Sequence, residues 1–324
     1  MTTNGSDERR RRHGSTVAAP RLSEYLTARR VEVDAALERV LPAPPQCPAV
    51  VADAMRYSVM AGGKRLRPIL CLASAEAVGG DRALAMPAAC AIEFIHTYSL
   101  IHDDLPAMDD DTLRRGRPTL HVVAGEGMAI LAGDGLHAEA FALLAREPRS
   151  TDPDLIGRKL RVIDVIATAA GVEGMVGGQA LDLAAVTPDR QGRLPPPFDA
   201  EGLRLMHARK TGALIRASAA AGAIMGGGSD AAVSAIEACA GHLGLAFQII
   251  DDILDVEGAS ADLGKTPGKD AATGKPTYPA LFGLDASRRM ARESLERAEA
   301  ALADAGLGDA RLLEIGRWIV ERTH

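Results

Sequence analysis

The sequence predicts an all-helical protein built as one domain. Its long runs are rich in Ala, Leu, Arg and Glu, residues that lose little rotamer freedom in a helix. Val, Ile and Thr are never concentrated in short alternating segments of the kind that form strands. Proline and glycine clusters punctuate the runs, and the connections they leave are mostly short.

The first helix is expected from Leu22 to Val40, where apolar positions recur at helical spacing until Pro42, Pro44 and Pro45 stop the pattern. A second runs from Ala49 to Met60 and is broken by Gly62 and Gly63. Further helices are expected at 68–78, 84–105, 121–146, 155–171, 174–184, 200–225, 230–256, 276–302 and 309–323. The stretch from Thr187 to Phe198 reads as a surface loop, not a domain linker, because helical patterning resumes directly after it. The glycine-rich stretch from Gly258 to Pro276 reads as a mobile lid behind an acidic cluster. Residues 1–20 read as a disordered polar and basic tail, and residues 21–324 as the single folded domain, with no short-period repeat.

Composition excludes several classes. A chain of 324 residues, 47% hydrophobic and 25% charged, buries a substantial core. Its net charge of -6 and pI near 5.8 give no electrostatic support for a nucleic-acid partner. The cluster Arg9 to Arg12 followed by His13 sits in the polar tail, and nothing downstream extends it. Cys47, Cys71, Cys90 and Cys239 form no CxxC pair, which argues against disulfides or zinc and for a reducing compartment. No run approaches the roughly 20 uncharged residues of a membrane span, and the first residues have no apolar core of a secretion signal. The expectation is a cytoplasmic protein without stable membrane insertion.

Two acidic clusters dominate. The first runs DDLPAMDDD from Asp103 to Asp111, the second DDILD from Asp251 to Asp255. Asp251 and Asp255 are four apart, roughly 40° in azimuth on one helix face, so both reach one site. Asp103 and Asp109 are six apart and would diverge by about 120° on an unbroken helix. Pro106 lets the chain bend Asp109 back, because the residue before a proline is biased out of the α region. So much negative charge beside apolar residues requires cations, and the absence of His and Cys near these carboxylates favours a hard ion, magnesium above all. Magnesium keeps water and phosphate in its shell, which implies a phosphorylated ligand bridging the clusters. Acidic helix ends meeting solvent would account for one such cluster but not for two embedded in apolar runs such as 244–254. An EF-hand is excluded by the spacing.

The basic residues supply the other half. GGKRLR places Lys64 and Arg67 three apart on one face of a helix start behind flexible glycines, which suits a diphosphate. Arg114 and Arg115 follow the first acidic cluster, where guanidinium forks can clamp phosphate oxygens. Either string alone is weak.

Together the motifs carry a family resemblance. HTYSLIHDDLPAMDDDTLRRGRPT from His96, GGKRLRP from Gly62, GMVGGQALDL from Gly174, ARKTGALI from Ala208 and FQIIDDILDVEG from Phe247 resemble the successive signatures of the polyprenyl synthetase family, closest to its bacterial farnesyl diphosphate synthases. The likeness covers roughly residues 22–322 in order. It implies an antiparallel helical bundle around a deep central cavity, a homodimer, and two aspartate motifs facing each other at the cavity mouth. It implies that Asp103 and Asp109 bind two magnesium ions and Asp251 a third, with Asp255 assisting through water and Mn2+ able to substitute. It further implies that Arg114, Lys210 and Lys265 hold an allylic diphosphate (dimethylallyl or geranyl). Lys64, Arg67, His96 and Arg115 then hold isopentenyl diphosphate, and Thr211 and Gln248 line the reacting carbons.

A histidine alone on an apolar helix is most often a satisfied core residue; the company of the other motifs moves His96 to substrate contact. Gln179 and Asp182 either orient neighbouring site residues or form a buried hydrogen-bonded pair, and His102 and His121 have no assigned role. Tyr98 and Ser99, five and four positions before Asp103, stand where the family sets product length, and an aromatic there implies a fifteen-carbon product. A geranylgeranyl synthase shares every motif and is the alternative. A terpene cyclase would carry Asn, Ser and Glu in its second motif, and a noncatalytic subunit would not retain intact aspartates in both clusters.

Overall fold

The computed structural model describes residues 21–187, 191–193, 195–196, 198–257, 277–308 and 311–322. The expected tail at 1–20, the glycine-rich stretch 258–276 with Lys265, and residues 188–190, 194 and 197 of the expected loop lie outside the described residues.

The fold is helical, as predicted. Helices α1 (Leu22–Val40), α2 (Ala49–Val59), α3 (Leu66–Ala77) and α4 (Arg82–Asp103) lead to a two-stranded hairpin, β1 (Leu113–Arg114) and β2 (Arg117–Pro118). Then follow α5 (Leu120–Ala124), α6 (Glu126–Arg146), α7 (Pro153–Ala170), α8 (Met175–Val186) and α9 (Ala200–His207), and a π-helical turn Ala208–Gly212. The chain continues as α10 (Ala213–Met225), α11 (Asp230–Glu257), α12 (Tyr278–Phe282), α13 (Leu284–Asp304) and α14 (Arg311–Glu321).

Helix α4 is central and packs against α3, α6 and α10. Asp81 caps it by accepting a hydrogen bond from the Ala83 amide at 2.8 Å, and Ile92, Phe94 and Ile95 along it are fully buried. Helix α10 carries a run of small residues from Ala217 to Ala223 and approaches α3 closely. A Cβ at Gly222 would stand 1.8 Å from the Cys71 carbonyl oxygen, so only glycine permits that contact.

Three expected helices are interrupted. The span 121–146 breaks at Gly125 (φ 83°) and 276–302 at Gly283 (φ 79°), backbone that glycine adopts without steric penalty. The span 200–225 changes pitch through the π turn. The hairpin was not expected; its turn residues Arg115 and Gly116 both have positive φ, 52° and 71°, as a tight two-residue hairpin requires. The expectation about membrane spans also needs correction. Helices α4, α6 and α11 are, by length and composition, long and apolar enough to cross a bilayer, with mean hydropathies of 1.4, 1.3 and 1.4. Uninterrupted uncharged runs were the wrong measure, since such a window tolerates one or two charges. In this fold 67%, 39% and 50% of those windows are buried within the protein.

One buried ionic group ties the first four helices together. Arg65, 3% exposed, takes a left-handed conformation (φ 51°) at the start of α3. It donates to Glu93 on α4 at 2.6 Å, to Asp34 on α1 at 2.8 Å and to the Val59 carbonyl ending α2 at 2.6 Å. Removing one partner of a buried pair leaves an uncompensated charge. Glu93→Ala should therefore cost about 3–5 kcal/mol of stability, read as a lowered midpoint in urea denaturation.

Candidate active site

The first acidic motif begins where α4 ends. Past Pro106 the chain folds back, with the Asp109 amide donating to the Asp103 carbonyl at 2.8 Å and the Asp111 amide to the Asp104 carbonyl at 3.2 Å. The bend expected at Pro106 is therefore present, and Asp109 lies near enough for its charge to act on Asp103. Burial first, opposed by Lys210 and reinforced by Asp109, pushes the Asp103 carboxyl up to about 6. Asp104 points inward, 4% exposed, and Arg114 grips it through Nε at 2.7 Å and Nη2 at 2.6 Å. Asp111 lies 3.7 Å from the same guanidinium.

The second motif lies in the last two turns of α11. Asp251 receives a hydrogen bond from Arg322, one residue beyond α14. Asp252 is 8% exposed and accepts from the Tyr278 amide at 2.9 Å, anchoring α12. Asp255 and Gln248 are half-buried on the same helix.

Basic side chains gather nearby. The expected pairing of Lys64 with Arg67 on one helix face is corrected, since α3 starts at Leu66 and Lys64 precedes it. Gly62 and Gly63, at φ 86° and 128°, turn the chain there. Lys64 Nζ sits 5.7 Å from the Trp318 ring centre. Arg67 Nη1 is 3.3 Å from His96 Nε2. Burial, then Arg67, Arg115, Arg114 and Arg65, hold His96 well below the usual histidine range, so it is neutral and accepts from the guanidinium. Burial also lowers Arg67 and Arg115. Arg115 donates to the Gly62 carbonyl, and a Cβ at Gly63 would fall 2.7 Å from its guanidinium carbon. Arg67 Nε is buried without a hydrogen-bond partner among the described residues. Buried cations this close to one another suit an anion that answers both.

Lys210, in the π turn beside half-buried Thr211, pairs with Asp182 on α8 at 2.6 Å. The turn lies tight on α8, for a Cβ at Gly178 would meet the Lys210 amide nitrogen at 2.1 Å. Asp182 thus holds Lys210, one of the residues expected at the site. Gln179 Oε1 is buried without a hydrogen-bond partner among the described residues. His102 Nε2 lies 3.1 Å from the Ile130 carbonyl, and His121 Nδ1 lies 3.1 Å from Thr119 Oγ1. Tyr98, 8% exposed, stands edge-on to His102 with ring centres 5.7 Å apart and tilted over His137 at 4.7 Å. Ser99 donates to the His96 carbonyl at 3.0 Å.

Among the described residues, no three Asp, Glu, His or Cys side chains are gathered closely enough to hold a metal unaided. The donors are carboxylates throughout, which fits a hard divalent ion whose shell is completed by water and phosphate. Sequence reading missed Arg65, Glu93, Asp104 and Arg322. An isolated carboxylate within the apolar run AACAIEFIH was a usable signal for Glu93; Arg322, near the chain end, offered none.

The sequence profile of the polyprenyl synthetase family matches residues 48–305. The chain belongs to the polyprenyl synthetase family. This polyprenyl synthetase is 44% identical over 303 residues to a farnesyl diphosphate synthase of Geobacillus stearothermophilus, covering 94% of this chain and 98% of that protein. It is also 48% identical over 274 residues to geranylgeranyl pyrophosphate synthase 11 of Arabidopsis thaliana, covering 84% and 74%. Among solved structures it resembles an FPP/GFPP synthase from Zymomonas mobilis (TM-score 0.80, 39% identity, 92% and 98% coverage). It further resembles a geranyltransferase from Helicobacter pylori complexed with magnesium and isoprenyl diphosphate (TM-score 0.77, 31% identity, 94% and 97% coverage). This polyprenyl synthetase is thus a prenyltransferase acting on isoprenyl diphosphates, from a magnesium-dependent family.

The raised Asp103 makes apo stability pH-dependent. Its folded carboxyl holds the proton more tightly than the ordinary 3.8, so the cost of ionising it is absent below about pH 4 and complete above about pH 6. Asp103→Asn should stabilise the metal-free protein at pH 7.5 by on the order of 1–3 kcal/mol. That gain should vanish at pH 4 in thermal melts.

Proposed function

We propose that the enzyme condenses isopentenyl diphosphate head to tail with dimethylallyl and geranyl diphosphates and releases farnesyl diphosphate. The observation that carries the product is Tyr98, buried five positions before Asp103 and braced by His102 and His137. An aromatic wall held from two helices limits the space open to a growing hydrocarbon tail. A second reading, the twenty-carbon geranylgeranyl product, is favoured by the 48% identity to a geranylgeranyl synthase.

In this reading Asp103 and Asp109 hold two magnesium ions and Asp251 a third, assisted by Asp255, with Mn2+ able to replace them. Magnesium, when bound, supplies positive charge that stabilises the departing diphosphate. Arg114, Lys210 and Lys265 bind the allylic diphosphate; Lys265 lies outside the described residues. Asp104 and Asp182 keep Arg114 and Lys210 extended and pre-aimed, so little ordering is needed on binding. Lys64, Arg67, His96 and Arg115 take isopentenyl diphosphate, with neutral His96 orienting Arg67. Thr211 and Gln248 face the reacting carbons, where the allylic cation forms and the isopentenyl double bond attacks. No protein base is assigned, and the released diphosphate takes the proton.

The enzyme acts as a cytoplasmic homodimer without membrane insertion, with residues 21–324 as one catalytic domain. Exposed Val122 and Val123 on α5 and Ile130 and Leu131 on α6 offer an apolar face for a second copy.

Incubating the protein with isopentenyl diphosphate, each allylic primer and magnesium should give a fifteen-carbon alcohol after dephosphorylation. Chelation, or combined Asp103→Ala and Asp251→Ala, should reduce turnover by at least about a thousandfold; parental speed in either case would overturn the reading. Tyr98→Ala should lengthen the product on chromatography, and an unchanged spectrum would remove Tyr98 from that role.

A further inference from the structure

The end of α14 touches both halves of the site. Arg322 stands one residue past that helix, yet its side chain is only 4% exposed. Its Nη2 donates to Asp251 Oδ1 and, at 3.2 Å, to the Phe247 carbonyl one turn earlier on α11. Its guanidinium lies 4.1 Å from the Phe247 ring centre. Its Nε is buried without a hydrogen-bond partner among the described residues. One turn back on α14, Trp318 carries Lys64 over its ring at 5.7 Å. Lys64, Trp318 and Arg322 line one cavity of about 520 Å³.

A short helix therefore links a carboxylate of the second acidic motif to the lysine of the GGKR loop. Asp251 is 36% exposed, so an ion reaches it without unpacking the bundle. Yet the carboxylate already carries a fixed positive group, and a guanidinium and a divalent ion crowded on one carboxylate repel each other.

We propose that Arg322 is an internal counterion on Asp251 which a divalent ion must displace, and that its release moves the end of α14, carrying the Trp318 contact of Lys64 with it. Ion loading at the second motif is thereby coupled to the position of Lys64. By linkage, anything that withdraws Arg322 tightens the metal site by the same factor. The inference rests on the assignment of Asp251 as a metal ligand.

Trp318 is the only tryptophan, so emission under tryptophan-selective excitation reports on this segment alone. Calorimetry with Mg2+ in the presence of inorganic diphosphate should show Arg322→Gln binding Mg2+ about fivefold tighter than the parent, about 1 kcal/mol, while Arg322→Lys, which keeps the charge, stays within about twofold. In the parent, Mg2+ should shift Trp318 emission with a midpoint matching the calorimetric Kd. In Arg322→Gln the emission should start at the shifted position and stay there. The coupling is overturned if Arg322→Gln binds Mg2+ no more tightly, or if parental emission does not move. Asp251→Asn separates the two levels. If it leaves Mg2+ affinity unchanged, the ligand assignment falls and this inference with it. If it weakens binding while Arg322→Gln has no effect, only the role of Arg322 falls.

Discussion

Burial of Arg65 is the constraint on which the site's framework depends. A guanidinium with 3% exposure is tolerable only with every direction answered. Asp34, Glu93 and the Val59 carbonyl answer it from three helices. Meeting all three at once requires the left-handed backbone at Arg65, which sends Lys64 out toward Trp318 and starts α3 with Arg67 facing His96. A buried pair adds little net stability over a hydrophobic equivalent. Its contribution here is geometric, fixing the register between the GGKR loop and α4.

The same logic recurs around the site at lower stakes. Arg114 has Asp104, Lys210 has Asp182, and Asp251 has Arg322. In these three pairs a side chain assigned to substrate or metal is held by a partner of opposite charge that is not itself assigned to either. These partners keep long side chains extended before any ligand arrives, so their rotamer entropy is spent during folding and not during binding. Arg67, His96 and Arg115 are the exception. Burial lowers all three, their mutual proximity adds to it, and His96 is left neutral, so an anion arriving here would relieve the two guanidiniums.

Much of this was legible in the sequence because the governing signals are local. Helical periodicity located the helices, and four-residue spacing placed Asp251 and Asp255 on one face. Pro106 foretold the return of Asp109. What escaped depends on where one element meets another. Gly125 and Gly283 sit in otherwise good helical patterns, and nothing local says that the chain must turn there. Lys64 looked helical because GGKRLR flows into an apolar run; the break comes from Arg65 reaching Asp34 and Glu93, 31 and 28 positions away. The roles of Asp182 and Arg322 depend on contacts across 28 and 71 positions, beyond the reach of any motif. The Polyprenyl synthetase match and the solved relatives secured the chemistry, which neither acidic cluster could establish alone.

The placement of charge on helix ends gives the strongest physical argument for what the site holds. Helix C-termini carry partial negative charge and N-termini partial positive charge. Asp103 is the last residue of α4, and Asp251 and Asp255 lie in the last two turns of α11. Carboxylates there sit at the wrong end of the dipole. Lys64, Arg65 and Arg67 gather at the start of α3, where cations are equally misplaced. A fold selected only for stability would reverse both arrangements. The opposition disappears when cations lie between the two aspartate-bearing C-termini and an anion lies at the N-terminus of α3. A metal-bound diphosphate beside a second diphosphate, as proposed for this site, would supply both together, and burial adds to the same opposition by raising the Asp103 carboxyl and lowering Arg67.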